Sequence, residues 1–348
     1  MDISSRRPLV GVRAQWPITQ QMDALSQALN GDGPALAFSQ SPFHEVDPEC
    51  GLVLTTSGST GNPKSVALSA HSVRASADAA HTYLGATTGD SWSLLLPTTH
   101  IAGVNVLVRA IALGTKVLSV AEDATFTSIV PTQLHRALTG DTQLLEHLQN
   151  AKAVLVGGAA TSNELRNDAE MAGINVITTY GMTEMCGGCI YNNEPLPGVE
   201  VRINDEVIEL NGPMKAIGYL GEKPFGDDFF RTSDSGKYES GKLEVLGRID
   251  DQIISGGEKI SLGTVSEFLN RDSDQRFIAV GIPDSEWGSA LAIASDGEID
   301  KRLIREKLRE QFGAHCSPKH FLANIELPLT AIGKPDIKKL MEIFGRLA

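Results

Sequence analysis

Several features that would narrow the function quickly are missing from this sequence. It has no run of five or more basic residues, and its 348 residues carry a net charge of −13. That balance argues against a nucleic-acid binder or a basic membrane-surface protein. The N-terminus MDISSRRPLV lacks the apolar core of a signal peptide. The longest apolar stretch, Ile101–Gly114, is too short to span a bilayer and carries Arg109. Only four cysteines are present, scattered along the chain, which excludes a disulfide framework. Cys186 and Cys189 form a CxxC, but no second ligand pair at matching spacing and no thioredoxin-like context accompanies them. They read as small residues lining a pocket or packed in the core. What is left, 41% hydrophobic and 21% charged, is an ordinary folded chain long enough for two domains, expected in the reducing cytoplasm.

The fold class predicted is α/β: a large N-terminal domain of layered α/β with a β-rich subregion, then a small mobile α+β C-terminal domain. From Leu52 to Tyr180 apolar strands alternate with helices. Strands are predicted at Leu52–Thr56, Val66–Leu68, Ser93–Leu96, Lys116–Val120, Ala153–Val156 and Val176–Thr179. Helices are predicted at Ser69–Leu84, with Ser69 as N-cap, and at His100–Leu113, Thr132–Leu138 and Thr161–Ala172. From Val199 to Gly247 short strands and Gly/Pro/Asp turns make the β-rich part. After Gly247 come a helix at Leu262–Asn270, strands at Phe277–Gly281 and Ala290–Ala294, and a helix at Ile299–Phe312. Domains of 1–249 and 250–348 follow.

The chemistry begins at Thr55–Lys64. The string TTSGSTGNPK follows one apolar strand and precedes another. Thr56, Ser57, Gly58, Ser59, Thr60 and Gly61 leave backbone amides free to approach an anion, and Lys64 adds a mobile positive charge. The spacing G-x-x-G-x-x-K is not that of a Walker loop.

This string resembles the phosphate loop of the acyl-adenylate-forming superfamily, and further motifs follow in the superfamily's order. TYGMTE at Thr179–Glu184 is similar to its second signature. The resemblance implies Tyr180 near adenine, Thr183 near phosphate, Gly181 in the nucleotide site and Glu184 as a Mg²⁺ ligand, a role that suits a carboxylate oxygen. RTSDSG at Arg231–Gly236 resembles the ribose-binding segment, with Asp234 as its carboxylate and Ser233 in place of the usual glycine. GRIDDQIISGGEKI at Gly247–Ile260 resembles the hinge region, placing Arg248 near the nucleotide and Asp250 at the pivot. LTAIGKPD at Leu329–Asp336 resembles the C-terminal motif whose lysine, here Lys334, is catalytic; Pro335 stands where an aliphatic residue is commoner. Gly157, Gly158 and Ala159, a small-residue run after a strand, are read as a wall of the nucleotide and acyl pockets together with Thr179.

Within the superfamily, PTTHIAGVNVLVRAI at Pro97–Ile111 resembles the o-succinylbenzoate–CoA ligases of menaquinone biosynthesis. There a histidine, here His100, is followed nine residues later by an arginine, here Arg109. The short region before the phosphate loop also fits actinobacterial members. The implied co-substrates are ATP and CoA with Mg²⁺, and the acid is o-succinylbenzoate. No nucleic acid and no integral membrane segment are implied, and homo-oligomerisation is left open. Nine residues turn an α-helix by half a revolution, so His100 and Arg109 share one pocket only if His100 precedes the helix proper or water bridges the gap. Two alternatives stand beside this reading: a ligase or adenylation enzyme for another acid, and a non-catalytic nucleotide-binding relative.

Overall fold

In the computed structural model, the structure describes residues 6–13, 15–56, 64–249, 251–271, 273, 275–329 and 335–347. The chain opens with β1 (Arg7–Gly11), α1 (Ile18–Asn30), β2 (Ala35–Ala37) and β3 (Glu45–Val46). The hairpin β4 (Cys50–Thr56) and β5 (Lys64–Ser69) leads into α2 (Ala70–Leu84). Next come β6 (Trp92–Ser93), α3 (Ile101–Ala112), β7 (Val117–Leu118) and β8 (Phe126–Ile129). They are followed by α4 (Pro131–Thr139), α5 (Thr142–Asn150), β9 (Ala153–Val156), α6 (Asn163–Met171) and β10 (Val176–Met182). A 3₁₀ turn, Thr183–Met185, joins β10 to β11 (Gly187–Tyr191). Short strands continue as β12 (Glu194–Pro195), β13 (Glu200–Asn204), β14 (Val207–Asn211), β15 (Gly218–Tyr219), β16 (Phe230–Glu239) and β17 (Lys242–Arg248). The rest is β18 (Gln252–Ser255), β19 (Glu258–Ser261), α7 (Leu262–Asn270), β20 (Phe277–Asp284), β21 (Gly288–Ser295), α8 (Lys301–Phe312), β22 (His320–Leu322) and α9 (Ile337–Leu347).

The strands order as β15-β5-β4-β2-β1-β3, as β12-β11-β10-β9-β8-β6-β7 and as β13-β14-β16-β17. A further sheet runs β19-β18-β21-β20, with β22 beside β21. The mixed α/β architecture is the one expected. Two compact units emerge, Met1–Thr232 with Tyr238–Glu244, and Ser233–Lys237 with Val245–Ala348. The expected boundary after residue 249 lies slightly further along, and the 233–237 excursion has no signal in the sequence.

Local chemistry explains the better-read elements. Ser69 caps α2 by accepting a hydrogen bond from the Ser72 amide at 2.9 Å, and Gly85 ends the helix in the left-handed region. Strands β8, β9 and β10 run parallel, in registers such as Thr127↔Val154 and Val176↔Val154. All four residues of β9 are buried, the continuous apolar run of a doubly covered strand. Helix α3 is apolar on nearly every face, and Gly103 through Ala110 are all buried. Its Val104 and Leu107 join Leu25, Leu52, Leu68, Trp92, Phe126 and Tyr191 in the principal core.

The second unit follows the strand period of two. Along β20 and β21, Phe277, Ala279, Leu291 and Ile293 pack with Val265 of α7 and Leu308 of α8. The alternate residues Ile278, Val280, Ala292 and Ala294 pack with Leu340 and Phe344 of α9. Helix α7 spans the predicted residues, and the predicted strands lengthen by a few residues each. Absent from the prediction are α1, α5, α9, β8 and the strands before residue 50. The α1 face is polar enough, with three glutamines, to hide its period, and β8 (FTSI) is short and half polar.

Candidate active site

In open α/β sheets ligands bind beyond the carboxyl ends of the parallel strands. Gly157–Ala159 follow β9 directly, and Thr179–Glu184 lie at the end of β10 and in the turn after it. The two segments touch: a Cβ at Gly157 would lie 2.2 Å from the Thr179 Oγ1, so only glycine fits there. The Thr179 hydroxyl donates to the Val156 carbonyl at 3.3 Å. Gly181 is demanded in the same way, since a Cβ would sit 1.9 Å from the Gly187 carbonyl oxygen where the β10–β11 hairpin is irregular. Tyr180 and Thr183 are half-buried beside it.

The turn bearing Glu184 is held from several sides. Its carbonyl accepts from the Ala216 amide at 2.8 Å. Two residues on, Cys186 adopts a left-handed φ of 50°, and its carbonyl accepts from Ser76 of α2 at 3.0 Å and from Asn105 of α3 at 2.7 Å. Cys186 and Cys189 themselves are buried in the core. Burial pushes both thiols up, Cys189 to about 12. Among the described residues no group of three or more His, Cys, Asp or Glu could hold a metal by itself.

Lys64 opens β5 directly opposite Thr56 of β4, at the mouth of the phosphate-loop segment. Ser57–Gly61 lie outside the described residues, as do Asp250 and Lys334. Strand β15 pairs with β5 on the other side, Tyr219 opposite Val66. The Lys64 ammonium sits 4.3 Å from the centre of the Tyr219 ring and 3.0 Å from a Glu222 carboxylate oxygen. The Tyr219 hydroxyl donates to Glu184 Oε1 at 2.8 Å. Burial first, then the Glu184 charge, pushes that phenol well above its ordinary value, which keeps it a donor. Lys64 and Glu184, 120 residues apart in sequence, are therefore joined through one aromatic ring.

Arg109 occupies a different setting. It is only 3% exposed, its Nη2 donates to the Tyr191 hydroxyl at 3.0 Å, and its guanidinium lies 4.9 Å from the centre of the Trp92 ring. Its Nε has no partner, and no described carboxylate pairs with it. His100 precedes α3 in extended backbone as the N-cap residue and is exposed. His100 thus precedes the helix proper, the condition under which it and Arg109 could serve one pocket; Arg109 is buried in the interior while His100 stays at the surface. Gly188 lies between the two settings, for a Cβ there would be 3.0 Å from the Tyr191 ring and 3.5 Å from Thr179 Cβ.

In the second unit Asp234 is half-buried and Arg248 exposed. Ser235 donates to the Gly247 carbonyl at 3.1 Å, and the Ile249 amide donates to Ser233 at 2.7 Å, so the two predicted nucleotide segments lie side by side there. Sequence reasoning missed Tyr219, Glu222, Tyr191, Ser76 and Asn105. Only Tyr219 had a local cue, a Gly-Tyr pair in a turn-rich stretch.

An acyl-adenylate site built at the ends of parallel strands is the class that fold and site define, and the chain belongs to the AMP-binding enzyme family, whose model matches residues 12–209. It is 33% identical over 366 residues to a probable 2-succinylbenzoate–CoA ligase of Mycobacterium tuberculosis, covering 93% of this chain and 95% of that protein. The 2-succinylbenzoate–CoA ligase of Lactococcus lactis is 28% identical over 327 residues, 84% of this chain and 71% of that one. The fold is also similar to that of o-succinylbenzoate CoA synthetase (MenE) from Bacillus subtilis in complex with the acyl-adenylate intermediate OSB-AMP. There the TM-score is 0.75 at 22% identity, over 92% of this chain and 80% of that one. No helix among the described residues is long and apolar enough to cross a membrane.

Proposed function

We propose that the chain is an ATP-dependent o-succinylbenzoate–CoA ligase acting in menaquinone biosynthesis. The observation that carries the choice of acid is the guanidinium of Arg109, buried with no carboxylate partner among the described residues. An uncompensated buried charge costs several kcal/mol, and the Trp92 ring returns only about 2 kcal/mol of it. The site therefore asks for an anion from outside the chain. An acid with two carboxylates supplies one, leaving the other to react.

The aliphatic carboxylate attacks the α-phosphorus of ATP, the bond from that phosphorus to the α,β-bridging oxygen breaks, and pyrophosphate leaves with the bonding pair. The thiol of CoA then attacks the acyl carbon, and AMP departs with the bonding pair. Charge crowds at phosphorus in the first step, and Lys64, Lys334 and the amides of Ser57–Gly61 offset it. Thr183 hydrogen-bonds phosphate, Tyr180 and Gly158–Ala159 flank adenine, and Asp234 with Arg248 serves the ribose side. Thr179, Gly157 and His100 shape the acyl entrance. Glu184 fits Mg²⁺ and would hold it: it offers hard carboxylate oxygens, one of them held by the Tyr219 hydroxyl. An Mg²⁺ ion held there would supply positive charge against the phosphates. The small domain, pivoting at Asp250, brings Lys334 to the first step and withdraws it for the second. ATP and CoA as co-substrates suit a cytoplasmic enzyme.

Turnover is tested with o-succinylbenzoate, ATP and CoA against a panel of mono-acids in a pyrophosphate-release assay. Release and thioester formation with o-succinylbenzoate alone support the reading. Release with another acid only removes the substrate, and no ATP–pyrophosphate exchange with any acid removes the enzyme class.

A further inference from the structure

We propose that Tyr219 is a positioning residue, which holds the Glu184 carboxylate by its hydroxyl and the Lys64 ammonium by its ring so that both meet the triphosphate together. The proposal rests on the ligase reading for the identity of the ligand. It begins in strand register. Tyr219 of β15 stands opposite Val66 of β5, and Lys64 is two residues before Val66, hence on the same face and at the diagonal position. That places an ammonium over an aromatic face, 4.3 Å from its centre. Antiparallel pairing continues on the backbone, where the Leu220 amide donates to Ser65 at 2.8 Å, so the ring cannot slide along the strand.

The ring's orientation is fixed as well. Phe225 meets it edge-on, with centroids 5.2 Å apart and planes at 90°. This aims the hydroxyl at Glu184 Oε1, 2.8 Å away. A carboxylate receiving one donor on Oε1 loses rotational freedom about its terminal torsion, and Oε2 is turned to a fixed direction. A phenol suits this task better than a cation. It orients the carboxylate without neutralising it, leaving the full negative charge for a divalent ion. On the solvent side Glu222 pairs with Lys64 at 3.0 Å, a resting partner that an incoming triphosphate would displace.

The test separates hydroxyl from ring. Tyr219→Phe keeps the face beneath Lys64 and deletes the donor to Glu184; Tyr219→Leu deletes both. ATP affinity is measured by calorimetry with and without Mg²⁺, on the full chain. Tyr219→Phe should lose about tenfold of the Mg²⁺-dependent tightening while metal-free ATP binding stays within twofold of wild type. Tyr219→Leu should also weaken metal-free binding, by about threefold. In a Glu184→Gln background, Tyr219→Phe should add nothing further. Equal loss with and without Mg²⁺, or the same loss in the Glu184→Gln background, overturns the proposal and assigns Tyr219 a packing role. If Tyr219→Leu does not fold, the Phe variant alone decides. A wild-type chain that binds no ATP overturns the ligase reading and this assignment together. A wild type that binds ATP, matched by Tyr219→Phe at every Mg²⁺ concentration, overturns the assignment alone.

Discussion

Lys64 and Arg109, the two cations of the first unit to which the proposed function gives anions, have opposite surroundings. Lys64 is 42% exposed in its side chain, ion-paired to a Glu222 side chain that is 52% exposed, and laid across an aromatic ring. Arg109 is 3% exposed, held by a hydrogen bond from its Nη2 and by a tryptophan face, with no ion pair among the described residues. Under the proposed function, the difference follows from what each has to meet. A triphosphate arrives and leaves in every cycle, so its partner is a hydrated ammonium on a flexible stem that exchanges one weak surface partner for another. A second carboxylate must be recognised without reacting, which favours a planar, rigid donor set in a dry place where only the right acid compensates the charge. On that reading, exposure suits Lys64 to exchange partners and burial suits Arg109 to select one.

The largest effect is expected at the buried cation. Losing a charge-assisted pair costs about 1.5–3 kcal/mol, so Arg109→Leu should raise KM for o-succinylbenzoate by about ten- to a hundredfold and leave KM for ATP within twofold. An unchanged acid KM would take Arg109 out of the site and dissolve the contrast. Lys64→Ala should do the reverse, raising KM for ATP about tenfold with the acid KM nearly unchanged. If both constants move together, the two cations serve one site rather than two.

A smaller effect concerns protons. His81 lies within 6.1 Å of Trp92, ring centre to ring centre, and burial lowers its pKa to about 4. Arg109 lowers it further, while Asp78 and Asp90 pull the other way. Between about 4 and the ordinary histidine value of 6.5 the unfolded chain binds the proton and the folded chain does not. Stability is therefore full above that window and falls as pH drops through it. In urea titrations between pH 4.5 and 7, His81→Gln should show a flatter slope than wild type, by up to one proton. Because buried His147 titrates in the same sense, the difference between the two proteins is the measurement. Superimposable slopes would mean His81 is protonated normally in the fold.

The smallest effect is expected at Glu222. Its pair with Lys64 is a surface ion pair, worth about 1 kcal/mol or less, so Glu222→Gln should leave Tm within about 2 °C. Freed of its resting partner, Lys64 should bind ATP two- to threefold more tightly in the same calorimetric assay. Weaker ATP binding instead would show that Glu222 orients Lys64 rather than competing for it.

Much of this was readable along the chain, because it depends on neighbours in sequence. Ser69 had to cap α2, since its hydroxyl reaches only the amide three residues on, and the apolar run of β9 had to be a covered strand. TYGMTE and the small-residue run after β9 were legible as site segments because strand ends place them there. The family resemblance rested on motifs of this local kind. What the tertiary structure alone decided depends on residues far apart in sequence. Tyr219 joins Lys64 to Glu184 only because β15 pairs beside β5, a contact across about 150 residues that no spacing rule announces. The same holds for Ser76 and Asn105, which reach Cys186 from two helices. Arg109 is the instructive case. Its sequence predicted a charge in an apolar helix, but whether that charge would be matched by a carboxylate or left to an incoming ligand depended on Trp92 and Tyr191, brought together only by the packing of α3.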